Sequence, residues 1–222
     1  MKRKISILAA AILTLGLTAC GGAASQPSSQ ANKTTQAAGS QKSTAVASSA
    51  QQSSQGIASS TVQSGKDVLV VYFSATGTTK GVAEKIASIT GADTYEIKAA
   101  QAYSEADLNW NDSNSRSTKE QNDSSARPKI GSETKSLDGY KTIYIGYPIW
   151  WGEEPRIMDT FVESYSFNGI TVIPFCTSSS SGIGRSGQNL AKHAGSGNWL
   201  EGKRFGAGTS EDELRNWIKG LQ

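Results

Sequence analysis

Val68-Leu69-Val70-Val71-Tyr72-Phe73-Ser74-Ala75-Thr76-Gly77-Thr78-Thr79 is the stretch on which the fold of this 222-residue chain turns. Its first half is a short, continuous apolar run rich in β-branched residues, as expected of a strand buried on both faces. Its second half is polar and contains a glycine. Directly afterwards Val82, Ala83, Ile86, Ala87 and Ile89 recur at spacings of three and four, which marks one face of a helix. Strand, short loop and amphipathic helix together form the first unit of a parallel sheet.

The alternation continues along the chain. Thr94-Tyr95-Glu96-Ile97 predicts a modest second strand and Thr142 to Tyr147 a strong third. Pro155 to Tyr165 predicts a helix with Ile157, Met158, Phe161 and Val162 turned inward. Ile170 to Cys176 reads as a fourth strand. Pro174 inside it calls for a bulge or a position near the strand end, because proline has no N–H for the ladder. Ser186 to Ala194 reads as a weak helix, and Lys203-Arg204-Phe205 as a short fifth strand or edge segment. The last helix is the clearest: Ser210-Glu211-Asp212-Glu213 forms a capping box, followed by Leu214, Trp217, Ile218 and Leu221 on one face. This pattern predicts an α/β fold, a five-stranded parallel sheet covered on both faces. Such sheets bind ligands beyond the carboxyl ends of their strands, so the loops after strands one, three and four are the candidate site.

The first of these loops, Ser74 to Thr79, places four hydroxyls and a run of amides at a helix amino terminus. That end carries a partial positive charge and unpaired N–H donors, and attracts phosphate. It contains no lysine or arginine and matches neither the Walker loop nor Gly-x-Gly-x-x-Gly, so hydrogen bonds alone would hold a phosphate monoester. The second, Tyr147-Pro148-Ile149-Trp150-Trp151-Gly152, has adjacent tryptophans that are either ligand contacts or a plug on the sheet end. The third, Thr177 to Gly184, is a run of hydroxyls and amides, either a ligand loop or a flexible serine turn. Residues 102–134 separate strands two and three by more than the usual short connection. A helix is expected there around Ser117 to Asn122. The insertion is either a lid, docked through Tyr103, Leu108 and Trp110, or disordered padding.

These loops resemble those of the flavodoxin family. The family's phosphate loop, Ser/Thr-x-Thr-Gly-x-Thr after the first strand, is matched by Ser74, Thr76, Gly77 and Thr79. The phrase from Gly146 to Glu153 is similar to one kept by a subgroup of flavodoxin-like proteins. The resemblance covers roughly residues 67–221 and implies a strand order of 2-1-3-4-5 with FMN as cofactor. It implies that the side chains of Ser74, Thr76 and Thr79, with amides from Ala75 through Gly77 and Thr78 to Thr79, hold the phosphate. Pro148, Ile149, Trp150, Trp151 and Gly152 would wrap the isoalloxazine ring, with Trp150 or Trp151 stacked on it. Thr177, Ser178, Ser179, Ser180, Ser181 and Gly182 would meet the ring's polar edge and the ribityl chain.

The resemblance implies electron transfer between redox partners. Two departures favour an alternative, direct reduction of a quinone or other small acceptor. The folded part is near neutral rather than acidic, and no aromatic residue occurs from Thr177 to Gly184 to cover the second ring face. That face would be open, or covered by Trp110. A non-redox module holding FMN or another phosphorylated ligand is the third possibility. A receiver domain is excluded by Val71, Tyr72 and Phe73, where an acidic pair would be required. No nucleophile or acid–base pair suggests other catalysis, His193 reads as a surface residue on a helix, and no paired histidines or cysteine cluster suggest a metal.

The beginning of the chain reads as an address. Met1-Lys2-Arg3-Lys4, an apolar run from Ile5 to Leu17 and the small-residue end Leu17-Thr18-Ala19-Cys20 mark a secretory signal at residues 1–19. The run is too short to span a bilayer. Its end resembles a bacterial lipobox, which implies cleavage before Cys20 and acylation of its sulfur, anchoring the protein on the extracytoplasmic side of the cell membrane. Residues 20–65, rich in Ser, Gln, Ala and Thr, read as a disordered tether, and residues 66–222 as the folded domain. Once Lys2, Arg3 and Lys4 are set aside, the 22 basic residues fall level with the 19 acidic ones, which argues against a nucleic-acid partner. Cys176, the cysteine left beside Cys20, cannot form an internal disulfide. A monomer is the expected state.

Overall fold

The computed structural model describes residues 67–221, so the expected signal, the acylated Cys20 and the tether lie outside the described residues. The elements are β1 (Val68–Phe73), α1 (Thr78–Thr90), β2 (Asp93–Ile97), α2 (Arg116–Asn122), β3 (Thr142–Pro148), α3 (Arg156–Glu163), β4 (Thr171–Thr177), α4 (Ser186–Ala194), β5 (Asn198–Trp199), β6 (Lys203–Phe205) and α5 (Glu211–Lys219). The strands pair in parallel in the order β2-β1-β3-β4-β5, and β6 also pairs with β4. The expected order holds, but the sheet has six strands rather than five, because the edge position is shared by two short ones.

Pro174 explains that break. Val172 pairs with Trp199 and Phe175 with Lys203, so Leu200, Glu201 and Gly202 stand opposite only Ile173 and Pro174. One extra residue on the edge is a bulge. The N–H of Leu200 donates to the Val172 carbonyl. Every second residue of a parallel ladder faces the same neighbour, so the N–H that Pro174 lacks would point at the bulge. Gly202 lets the edge close there, since a Cβ would fall 2.7 Å from the Pro174 carbonyl oxygen.

All six residues of β1 are buried, and they alternate between two cores. Leu69, Val71 and Phe73 pack with Ile143, Ile145 and the inward face of α3. Val68, Val70 and Tyr72 pack under α1 and α5. At the start of α5 the Ser210 hydroxyl accepts the Glu213 N–H, and Trp217 meets Phe205 and Tyr144 edge-on at 5.0 and 5.7 Å. Among the described residues no helix is long and apolar enough to cross a membrane.

Candidate functional site

A cavity of about 580 Å³ opens beyond the carboxyl ends of β1, β3 and β4, a size usual for small-molecule sites. The first loop enters it through Ala75, Thr76, Thr78 and Thr79. The Ser74 hydroxyl accepts the Gly77 N–H at 3.1 Å, which leaves its own hydrogen free to donate. Gly77 has φ 89° and precedes α1 without any side-chain cap. Its left-handed backbone, not a lack of space, requires glycine. The uncapped first turn directs N–H donors and the positive end of the helix dipole past the helix. Thr79 is buried, with its hydroxyl 2.7 Å from that of Thr177, so one hydrogen bond ties the first loop to the end of β4.

The second loop supplies Pro148, Ile149, Trp150 and Trp151. Trp150 and Glu153 exchange two backbone hydrogen bonds of 2.9 and 3.0 Å. They close a two-residue turn in which Trp151 and Gly152 have φ 49° and 83°. Such mirror-image turns favour Asn-Gly. A bulky side chain held there costs about 1–3 kcal/mol, a strain that tends to accompany function. Trp151 is 46% exposed. Trp150 instead packs edge-on against Phe73 at 5.7 Å and Tyr103 at 5.3 Å. Trp150 is therefore an anchored wall, and Trp151 is held outward at the mouth.

The third loop contributes Ser180 and Ser181. Their N–H groups both donate to the Ser178 hydroxyl, at 3.3 and 2.9 Å. Of the other site residues expected from sequence, Ser74, Gly77, Gly152, Thr177 and Ser178 belong to the loops without lining the cavity. Ser179 and Gly182 are exposed and lie off the wall.

The insertion is packed, not loose. Its helix α2 begins within one residue of the expected start, and Leu108, Trp110 and Ser117 line the cavity. Tyr103 donates to Glu120 and lies under the Arg116 guanidinium, 4.0 Å from the ring centre. Burial, reinforced by the Glu120 carboxylate, pushes its phenol well above the ordinary range. Gln121 donates through one amide nitrogen to the carbonyls of Trp150 and Glu154, both at 3.2 Å, and so clamps the tryptophan turn. The segment is thus ordered through Tyr103 and Leu108, while Trp110, expected to dock with them, is 73% exposed.

Sequence reading missed the acid group under this turn. Glu154 is fully buried, and burial pushes its carboxyl up to about 7. Asp159, five residues on and equally buried, is also raised by burial, against the pull of His193, Arg127 and Arg156. The one available signal was the Glu153-Glu154-Pro155 triplet directly after Trp-Trp-Gly. His193 stands on α4 as expected, with Nδ1 3.0 Å from Glu163.

The comparisons agree with this architecture. The family model for flavodoxin matches residues 67–221. A candidate flavoprotein from Bacteroides eggerthii DSM 20697 is 46% identical, covering 70% of this chain and 97% of its own, with a TM-score of 0.66. One from Bacteroides uniformis ATCC 8492 is also 46% identical, over 70% and 99%, with a TM-score of 0.67. The flavoprotein in complex with FMN from Lactobacillus acidophilus NCFM, at 24% identity over 69% and 99% and a TM-score of 0.52, shares the fold. No curated protein matches the chain. With this strand order, this uncapped glycine turn after β1 and a family match along the whole described domain, the chain belongs to the flavodoxin family.

Proposed function

We propose that the domain holds FMN in this cavity and passes electrons between redox partners on the outer side of a bacterial membrane, tethered through acylated Cys20. One observation carries the cofactor assignment. The two large apolar side chains most exposed among the described residues, Trp110 at 73% and Trp151 at 46%, both line the cavity onto which the uncapped α1 also opens. Apolar surface of this kind calls for an apolar ligand, and the helix end calls for an anion. FMN combines a planar ring with a phosphate monoester.

The hydroxyls and amides of Ser74 to Thr79 would take the phosphate, and Ser180 and Ser181 the polar chain. Trp150, braced by Phe73 and Tyr103, would offer the ring a fixed apolar wall. Leu108 and the exposed Trp110 would border the ring from the insertion. When bound, FMN supplies the redox chemistry, while the chain supplies anchoring, orientation and electrostatic tuning.

A second reading, direct reduction of a quinone-type acceptor, is favoured by the exposure of Trp110 and the lack of an aromatic in the third loop. Turnover of the FMN-loaded full chain separates the two. A carrier, once reduced chemically, is reoxidised fast by a one-electron protein acceptor and oxidises NAD(P)H or quinol slowly. A reductase turns over rapidly with quinone. A loaded chain that cannot be reversibly reduced contradicts both and leaves a phospholigand-binding module.

A further inference from the structure

Beneath the tryptophan turn lies a buried polar cluster that electron transfer, as described so far, leaves without a role. It consists of Gln121 from α2, Glu154 from the turn, Arg156 and Asp159 from α3, and Asn189 from α4. Glu154 and Asp159 are 0% exposed, Gln121 and Arg156 under a tenth. Five buried atoms of the cluster have no hydrogen-bond partner: Gln121 Oε1, Glu154 Oε1, Arg156 Nε and both carboxylate oxygens of Asp159.

The charges in this cluster do not balance. Arg156 faces the half-exposed Glu153 and the buried Asp159, and Asp159 is also drawn by Arg127 and His193, whereas no cation is paired with Glu154. Arg156 lies 2.8 Å from Glu153 and 3.6 Å from Asp159. Glu154 receives its own backbone N–H and, at 3.3 Å, the neutral amide of Asn189. An unpaired buried charge costs far more than a retained proton, so Glu154 keeps its proton to higher pH than an ordinary carboxyl and gives it up near neutrality. The groups around it are Asp159 from α3, itself facing Arg156 and Arg127, Glu153 from its own turn and Gln121 from α2. From β3 comes Tyr147, whose phenol pairs with the Ser186 hydroxyl. From α4 come Asn189 and, against Asp159, His193. Burial raises the Glu154 carboxyl, and the charge of Asp159 adds to the effect.

The cluster is coupled to the site by backbone. The same Gln121 nitrogen holds the carbonyl of Trp150, which lines the cavity, and that of Glu154. We propose that Glu154 is a redox-linked proton site: its carboxyl takes up a proton from solvent when an electron enters the flavin beside the turn, and releases it when the electron leaves. This rests on FMN being the cofactor. The electron comes from the reductant, and the one bond made or broken in the protein is the Glu154 O–H. Coupling is reciprocal: a negative charge in the cavity raises the proton affinity of Glu154, and the held proton favours electron entry to the same extent.

The test is the midpoint potential of the FMN-loaded full chain against pH, with dithionite as reductant, for wild type and Glu154→Gln. Below the titration of Glu154 the two curves coincide, because glutamine mimics the neutral acid. Above it the wild-type curve steepens and falls below that of the variant. Asp159→Asn, which removes a charge that raises Glu154, moves the bend to lower pH. Parallel wild-type and Glu154→Gln curves, or a bend that stays in place in Asp159→Asn, overturn the proposal while leaving FMN binding intact. A chain that retains no FMN overturns the cofactor assignment and the proposal together.

Discussion

The two ends of the cavity are built on different principles. The phosphate end is local: Ser74, Gly77 and the first turn of α1 form one short stretch, and their geometry follows from a left-handed glycine at a helix start. The aromatic end is assembled from distance. Trp150 is braced by Tyr103 and clamped by Gln121, and the turn that carries Trp151 sits on a polar cluster completed by Arg156, Asp159 and Asn189. A local site should fail all at once when its pivotal residue changes. An assembled one should weaken by degrees.

The sharpest way to break this contrast is Gly77→Val. A β-branched residue cannot hold φ 89° without strain, so the loop should lose its form. FMN affinity is expected to fall on the order of a hundredfold, equal to about 2.7 kcal/mol, in a fluorescence titration. If the affinity holds, the phosphate end does not depend on that turn.

Next comes the pH dependence of stability without cofactor. The Glu154 carboxyl goes from an ordinary 4.5 to about 7 on folding. Between those values the folded chain holds a proton that the unfolded chain has lost, so stability falls as pH rises through the interval and is level above it. The drop attributable to Glu154 is about 3 kcal/mol. Urea melts of Glu154→Gln should lack that slope, and an identical slope in both proteins removes Glu154 as its source.

Gln121→Leu removes the clamp on two buried carbonyls, with an expected loss of about 1–3 kcal/mol in stability. The matching fall in FMN affinity should be several-fold only, as befits an assembled wall. Trp151→Gly is expected to do the opposite to stability. It relieves the positive φ and should raise the melting free energy by about 1 kcal/mol while weakening FMN binding about tenfold. Stability and affinity falling together would mean that Trp151 is structural. Smallest of all, Ser179→Ala should change neither by more than about 0.5 kcal/mol, since Ser179 lies off the wall.

The same contrast governs what could be read from the sequence. The strand order followed from the family resemblance, and the phosphate turn from local spacing at Ser74, Thr76, Gly77 and Thr79. Pro174 called for a bulge or a strand end; it stands mid-strand, and the extra residue falls on the neighbouring strand and splits it into β5 and β6. The insertion was legible as a helix with apolar side chains to dock, but not as the source of the Gln121 clamp. That contact joins residues about thirty positions apart, and no periodicity encodes it. The different roles of Trp150 and Trp151 were equally hidden, because adjacent identical residues are separated only by the turn between Trp150 and Glu153. Nothing in the spacing sets Glu154 apart, because its raised carboxyl comes from burial that only the packed fold provides.

The most direct measurement is the visible absorption spectrum of the full chain after mixing with excess FMN and desalting. Retained flavin bands, at one equivalent per chain, are expected, and they should be lost in Gly77→Val. A wild-type chain that emerges colourless would contradict the central claim that this cavity is an FMN site.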